Sequence, residues 1–504
     1  MRGERALPGR PGAVAAGLVL ALVVGPVLAL AWRAGGGFAL GPADWAAIRF
    51  TVSQAVVSTV LSVGLAIPVA RALARRRFRG RSAVITLLGA PFLLPVIVAV
   101  LGLLAVFGRG GLLNGALQAF GLEPVSIYGY HGVVLAHVFF NLPLATRFLL
   151  QGWLAIPAER FRLAASLNAP IGRVLELPML RSVVPGAALL IFLLCLTSFA
   201  VALTLGGGPR ATTVELAIYQ ALRFDFAPGR AAVLALVQIG LCLGAVALSL
   251  RLTLPSALGG GFDRQVERWD GRPWLDRVAI WGAAAFLLLP MAMVVLRGVP
   301  GLGEMPGSVW WAAGRSVLVS LAATALCLAL ALALALRGGW LATLAGALPL
   351  AVSALVLGTG LFLIVRPFVS PLVLALPATV LVNALMALPF AVGALAPAVA
   401  EAEQVHGRLA DSLGLSGWSR LRIAVLPRLR RPLGLAGGLV AALSMGDLGV
   451  IALFAGAGQE TLPLAMYRLM GAYRMEAAAG AGLLLVALSL GIFWIFDQGG
   501  RADA

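Results

Sequence analysis

Leu326-Cys327-Leu328-Ala329-Leu330-Ala331-Leu332-Ala333-Leu334-Ala335-Leu336 runs for eleven residues without a polar side chain. A membrane barrel strand of about ten residues alternates between a lipid face and a polar lumen face. Here both alternating residues, Leu and Ala, are apolar. The run therefore reads as helix, the form in which a lipid-embedded segment satisfies its own backbone N–H and C=O groups. Extended outward to 315–336, it reaches the roughly 20 residues that cross about 30 Å of hydrocarbon.

The pattern recurs along the chain. Spans are predicted at 13–31, 50–72, 83–107, 130–152, 183–205 and 229–250. They follow again at 278–297, 315–336, 341–365, 372–397, 433–455 and 477–496, about twelve helices in all. Arg2, Arg5 and Arg10 precede the first stretch, which ends Ala29-Leu30-Ala31 in the manner of a signal-peptide cleavage site. Its length of about 18 residues favours an uncleaved anchor. Composition agrees with an all-α transmembrane protein. The 504 residues are 61% hydrophobic and 12% charged, half the roughly 25% charge of a soluble domain.

The net charge is +18, and all 38 basic residues are Arg. A basic balance can mark nucleic-acid binding, but these arginines sit in short loops between apolar runs, where they set membrane orientation. With the N-terminus inside, about 26 fall on the cytoplasmic side against about 11 outside, with Arg147 at a span end. Both termini are expected in the cytoplasm, and no nucleic acid is expected as partner. The phosphate-cradling loop GxxxxGK[ST] needs a Lys, and the chain has none. If ATP drives this protein, another chain hydrolyses it. Cys195, Cys242 and Cys327 each lie inside an apolar run and read as small buried hydrophobes. His131, His137 and His406 are scattered. No catalytic group, metal or cofactor is predicted in this chain.

The chain repeats itself. Leu177-Pro178 returns as Leu426-Pro427 about 249 residues later, and Tyr219 as Tyr467 about 248 later. Pro143 answers Pro389. Six spans per half in the same orientation make a parallel repeat, a pseudo-dimer with a path near its pseudo-two-fold axis. The predicted division is a first half at 1–250, a polar Gly-rich cytoplasmic linker at 251–277 and a second half at 278–504.

Before its fifth span each half has a long cytoplasmic loop. The second reads Arg408-Leu409-Ala410-Asp411-Ser412-Leu413-Gly414, on to Val425-Leu426-Pro427. The first reads Arg162-Leu163-Ala164-Ala165-Ser166-Leu167-Asn168, on to Leu175-Glu176-Leu177-Pro178. A short helix ending at a Gly or Asn turn, then Pro opening the next segment, makes a stiff lever tied to a span. These loops resemble the EAA loop of ABC importer permeases, and imply a type I permease fold of two fused six-helix halves. Both depart from the pattern: Arg162 and Arg408 stand where Glu belongs, Asn168 replaces Gly, and the first loop is about three residues shorter. Asn tolerates the left-handed conformation such a turn needs.

The resemblance narrows to thiamine importer permeases through Ala70-Arg71-Ala72-Leu73-Ala74-Arg75-Arg76-Arg77, Ser198-Phe199-Ala200, Leu205-Gly206-Gly207-Gly208-Pro209 and Thr212 to Leu222. Ser444-Met445-Gly446-Asp447-Leu448-Gly449 and Thr461-Leu462-Pro463 continue it, so that it covers nearly the whole chain. It implies two copies of a cytoplasmic ATPase, which uses the ATP, and one periplasmic binding protein. It also implies residence in a bacterial inner membrane among its lipids, with thiamine and its phosphates as cargo. Permeases for ferric iron or a polyamine share the build. An ion-driven secondary transporter is the alternative of another class; it predicts Gly/Pro-broken spans with ionisable groups at mid-membrane.

Gly206, Gly207 and Gly208 read as a periplasmic turn after the fifth span. The segment beyond, through Tyr219, is a candidate for the outer mouth and for contact with the binding protein, with Tyr467 its repeat. Asp447 reads as the only acidic residue well inside a span. The preferred reading is an interhelical hydrogen bond or a helix-end position beside Gly446, and the sharper one a place on the path of a cationic solute. Asn141 before Pro143, and Asn383 before Pro389, read as partners of proline kinks.

Overall fold

The structure, a computed structural model, describes residues 9–35, 39–89, 94–208, 211–249, 272–456 and 458–501. The described residues contain helices and no strand. The first half comprises α1 (Gly9–Ala34), α2 (Pro42–Arg75), α3 (Arg81–Leu87), α4 (Val96–Phe107), α5 (Leu112–Ala119) and α6 (Tyr130–Ala155). It continues with α7 (Ala158–Ser166), α8 (Leu177–Leu196), α9 (Ala200–Leu205), α10 (Val214–Arg223) and α11 (Pro228–Ser249). The second half comprises α12 (Pro273–Gly301), α13 (Gly307–Arg337), α14 (Gly339–Ala347), α15 (Ala354–Val365) and α16 (Ala375–Ser412). It ends with α17 (Gly417–Arg420), α18 (Arg430–Met445), α19 (Gly449–Phe454), α20 (Leu462–Gly471) and α21 (Met475–Arg501). Eleven segments are long and apolar enough to cross a membrane, and a bent pair brings the number to twelve.

Two pairs of spans predicted as continuous are broken. The third span of the first half divides into α3 and α4, and that of the second into α14 and α15, with a 95° bend in the latter. Pro349 sits in the turn between α14 and α15, and the Ser353 hydroxyl accepts from the Val356 N–H (3.2 Å) to start α15. Pro95 stands at the N-cap of α4, without a side-chain cap. Hydropathy hides such breaks because both sides are apolar. The fifth spans break likewise, at 197–199 between α8 and α9 and at 446–448 between α18 and α19.

The halves interlock. α1 packs on α13, α14 and α15 of the second half, and α12 packs on α2 and α4 of the first. Each crossing has a close approach where a proline interrupts the crossing helix. Gly102 of α4 lies under the Pro290 carbonyl of α12, and Gly360 of α15 under the Pro26 carbonyl of α1. A Cβ on either glycine would fall 2.6 Å or 2.5 Å from that oxygen. Each half's first helix thus lies against the other half, an arrangement that the division at 1–250 and 278–504 left open.

The linker boundary also moves. Residues 251–271 lie outside the described residues, but 273–277 are the first turns of α12 and not linker. There Asp276, 4% exposed, takes hydrogen bonds from Arg75 Nε (3.0 Å) and Arg76 Nε (2.6 Å) at the end of α2. The two halves are therefore joined by a buried ion-pair cluster as well as by covalent chain.

Candidate coupling levers and central cavity

The two loops predicted as levers have unequal form. In the second half there is no loop before the turn. α16 continues unbroken from Ala375 through Ser412, 38 residues, about 57 Å at 1.5 Å per residue. In the first half Pro157 separates α6 from α7, so the lever is jointed. Both levers end on a residue in the left-handed conformation, Asn168 (φ 49) and Gly414 (φ 66), so the Asn supplies the turn that Gly supplies in the repeat. Both then wind through a wider π-type turn, Gly172–Glu176 or Leu421–Val425. Pro178 and Pro427 follow in the first turn of the next helical segment, where no N–H is needed. The three residues missing from the first loop correspond to the extra single turn α17.

The side chains divide by face. Ala164 and Ala410 are buried and seat each lever on the body, while Arg162, Arg408, Asp411, Asn168 and Gly414 are exposed and Ala165 is half-buried. Sequence reasoning missed the outward apolar pairs, Leu163 with Leu167 and Leu409 with Leu413, which are 58–70% exposed. Their i, i+4 spacing puts each pair on one helix face, and that spacing was the available signal. Val174 and Ile423 extend the same patches.

Each lever is braced differently. Buried Arg420 clasps the second: its Nε donates to Glu403 (3.1 Å) and its Nη1 pairs with Asp411. In the first, buried Glu176 accepts from Arg71 Nε of α2 (3.0 Å) and from Trp153 Nε1 of α6 (3.2 Å). The second brace is internal to the lever, whereas the first ties the lever to α2.

The four breaks converge. The 197–199 and 446–448 breaks, the starts of α4 and α15, and one face of α6 surround a cavity of about 350 Å³, within the roughly 300–1,000 Å³ range of small-molecule sites. Asp447 lines it, with one carboxylate oxygen receiving the Gly449 N–H (3.4 Å). That bond fits the helix-end reading, and the cavity wall fits the path reading; the residue has both placements. Asp447 is not the only acidic residue at this cavity, although it keeps its place as the one the spans predicted. Glu215 on α10, fully buried, lines the same cavity with Ser353 as its polar neighbour. Its position at the start of a short helix outside the predicted spans concealed it.

Asn141 Nδ2 donates to Cys195 Sγ (3.3 Å), and Asn383 Nδ2 to Ser444 Oγ (3.0 Å), matched ties between the fourth and fifth spans beside the prolines. A second matched pair anchors α10 and α20. Val214 N–H donates to Thr51 Oγ1 (2.9 Å) and Leu462 N–H to Ser316 Oγ (2.7 Å). Gly206, Gly207 and Gly208 form a tight turn, the last two with positive φ, held where Gly129 N–H donates to the Leu205 carbonyl (2.8 Å). Pro209 lies outside the described residues. Tyr219 is buried against Phe199, ring centroids 5.3 Å apart. It stands behind the cavity wall, and Tyr467, its counterpart in the repeat, is half-buried.

No family model matches the chain. The chain is 41% identical to the thiamine transport system permease protein ThiP of Brucella abortus (strain 2308), over 96% of this chain and 95% of the relative. It is 40% identical to the protein of that name from Escherichia coli (strain K12), over 97% and 96%. To that of Haemophilus influenzae it is 34% identical, over 89% and 87%. With identity of 40–41% over 96–97% of its length, the chain belongs to the family of thiamine transport system permease proteins.

Proposed function

We propose that this chain is the membrane-spanning unit of an ATP-driven thiamine importer in a bacterial inner membrane, and that it holds no ATPase site or cofactor of its own. Both termini face the cytoplasm, on the arginine-rich side. Two copies of a separate ATPase dock on the two levers, and a periplasmic binding protein delivers thiamine or its phosphates at the face carrying α10, α20, Tyr219 and Tyr467. The observation that carries the reading is the pair of outward apolar lever faces on a full-length relative of thiamine permeases. Exposed pairs such as Leu409 with Leu413 call for a partner. A lever continuous with a span would convert closure of that partner into rigid-body movement of the halves around the cavity.

One observation favours the ion-driven alternative: broken spans with two acidic groups at the central cavity. The levers have no task in that mechanism. Uptake of labelled thiamine separates the two, in cells lacking their own thiamine synthesis and import and carrying this chain with its ATPase and binding protein. Uptake should survive ionophores that collapse ion gradients and stop when the partner ATPase is disabled. Uptake by vesicles without ATP would overturn the proposal.

A further inference from the structure

The central cavity has an unusual charge inventory. The chain carries 38 arginines and 20 acidic residues, yet the cavity is lined by two of the acids, Glu215 and Asp447, and by no arginine. The acids come from different halves and from positions that do not correspond in the repeat, so duplication alone does not account for their meeting. Both carboxylate oxygens of Glu215 and one of Asp447 are buried and receive no hydrogen bond of good geometry, the Ser353 hydroxyl being the one polar side chain beside Glu215. His137, 3% exposed, lines the same wall with Nε2 likewise unpartnered, its other ring nitrogen lying 3.4 Å from Ser58 Oγ. Buried polar groups are nearly always satisfied, and each exception calls for an explanation. Four such atoms around one cavity share one explanation.

We infer that the cavity is a transient binding site for an organic cation bearing a heteroaromatic ring, with Glu215 and Asp447 facing its positive charge from the two halves. The inference rests on the thiamine reading above and adds the site and its chemistry. Thiamine joins a permanently cationic thiazolium to an aminopyrimidine. The paired acids meet the first, and Phe140 and Phe199 line the same wall, aromatic rings being able to attract a cation. The free His137 nitrogen can hydrogen-bond to the second. Because each half supplies one acid, the site is complete only while the halves are together. Rocking them apart separates the acids and weakens their hold, which gives a physical route to release.

The test uses the full chain reconstituted in liposomes with its ATPase and binding protein. Labelled thiamine uptake is measured for wild type, Glu215→Gln, Asp447→Asn, and the charge-conserving Glu215→Asp and Asp447→Glu. In parallel, binding of thiamine and of thiochrome, its uncharged tricyclic oxidation product, is measured on the detergent-purified chain bound to its ATPase. Removing either charge should weaken thiamine binding about tenfold or more, the scale of one close contact between opposite charges away from bulk water. Thiochrome binding should stay nearly unchanged, and the charge-conserving variants should regain most uptake. If Glu215→Gln fails to assemble, Asp447, which is less deeply buried than Glu215, carries the same comparison. Wild-type uptake matched by both neutral variants overturns the cavity site and leaves the thiamine reading standing. Equal losses for thiamine and thiochrome also overturn it. Wild type that does not import thiamine overturns the thiamine reading, and the cavity inference falls with it.

Discussion

Adding one methyl group at Gly360 tests the interlocked fold directly. In Gly360→Ala the new Cβ would lie 2.5 Å from the Pro26 carbonyl oxygen, 2.6 Å from Pro26 Cβ and 2.7 Å from its carbonyl carbon. Ordinary carbon contacts begin near 3.5 Å, so α1 must withdraw by about 1 Å. Two of those atoms are backbone, and no rotamer change relieves them. A gap of that size forfeits about a quarter to a half of the dispersion energy across the contact, and overpacking of this kind costs about 1–3 kcal/mol. The repeat supplies an independent copy: in Gly102→Ala the Cβ meets the Pro290 oxygen at 2.6 Å and its carbon at 3.0 Å, with the same expected cost of about 1–3 kcal/mol. The control lies on α1 itself. Gly25, beside Pro26, has open space at its Cβ position, and Gly25→Ala should be neutral or mildly stabilising. Denaturant titration of the detergent-solubilised protein reads all three. If Gly360→Ala and Gly25→Ala unfold at the same denaturant concentration, the close crossing of α1 over α15 is wrong.

Further outcomes follow from the levers and the inter-half cluster. Leu409→Asp and Leu163→Asp alter exposed side chains, so both should fold normally but lose co-purification with the partner ATPase. Gly414→Val forces a β-branched residue into the left-handed region at about 1–2 kcal/mol and should impair ATPase-coupled uptake, whereas Asn168→Gly should not; equal defects would contradict the asymmetry. Arg420→Met removes the clasp on Glu403 and Asp411, and amide exchange across 403–420 should rise while 158–176 is unchanged. Asp276→Asn leaves buried Arg75 without its counter-charge, a loss of about 3–5 kcal/mol. Replacing both residues with Leu should recover much of that stability in the same denaturant titration.

Part of the site was legible because it is local. The turn residues Asn168 and Gly414 and the Leu-Pro starts are specified by neighbours a few positions away, and the structure has each in the expected conformation; Asn141 and Asn383, expected to serve the proline kinks, bond instead to Cys195 and Ser444 of the fifth spans. The second lever was expected as a short helix separate from its span, whereas one helix runs from the span to Ser412. A helix leaving the membrane needs no apolar face to continue, and the Arg420 clasp that holds its end is set from beyond the turn. Glu215 was overlooked because a carboxylate on a short polar-flanked helix carries no local mark of burial.

By itself the sequence determined the number of spans, their helical state, the parallel repeat and the two levers. Hydrophobic length, backbone hydrogen bonding in lipid and turn chemistry are all properties of consecutive residues. Only the tertiary structure decided which half each first helix embraces, where the third and fifth spans break, and that Glu215 and Asp447 share one cavity. Those outcomes depend on packing between segments far apart in the chain. In a uniformly apolar chain every helix face is hydrophobic, so hydropathy cannot choose the partner. The choice falls to close shape fit, such as a glycine beneath a proline carbonyl.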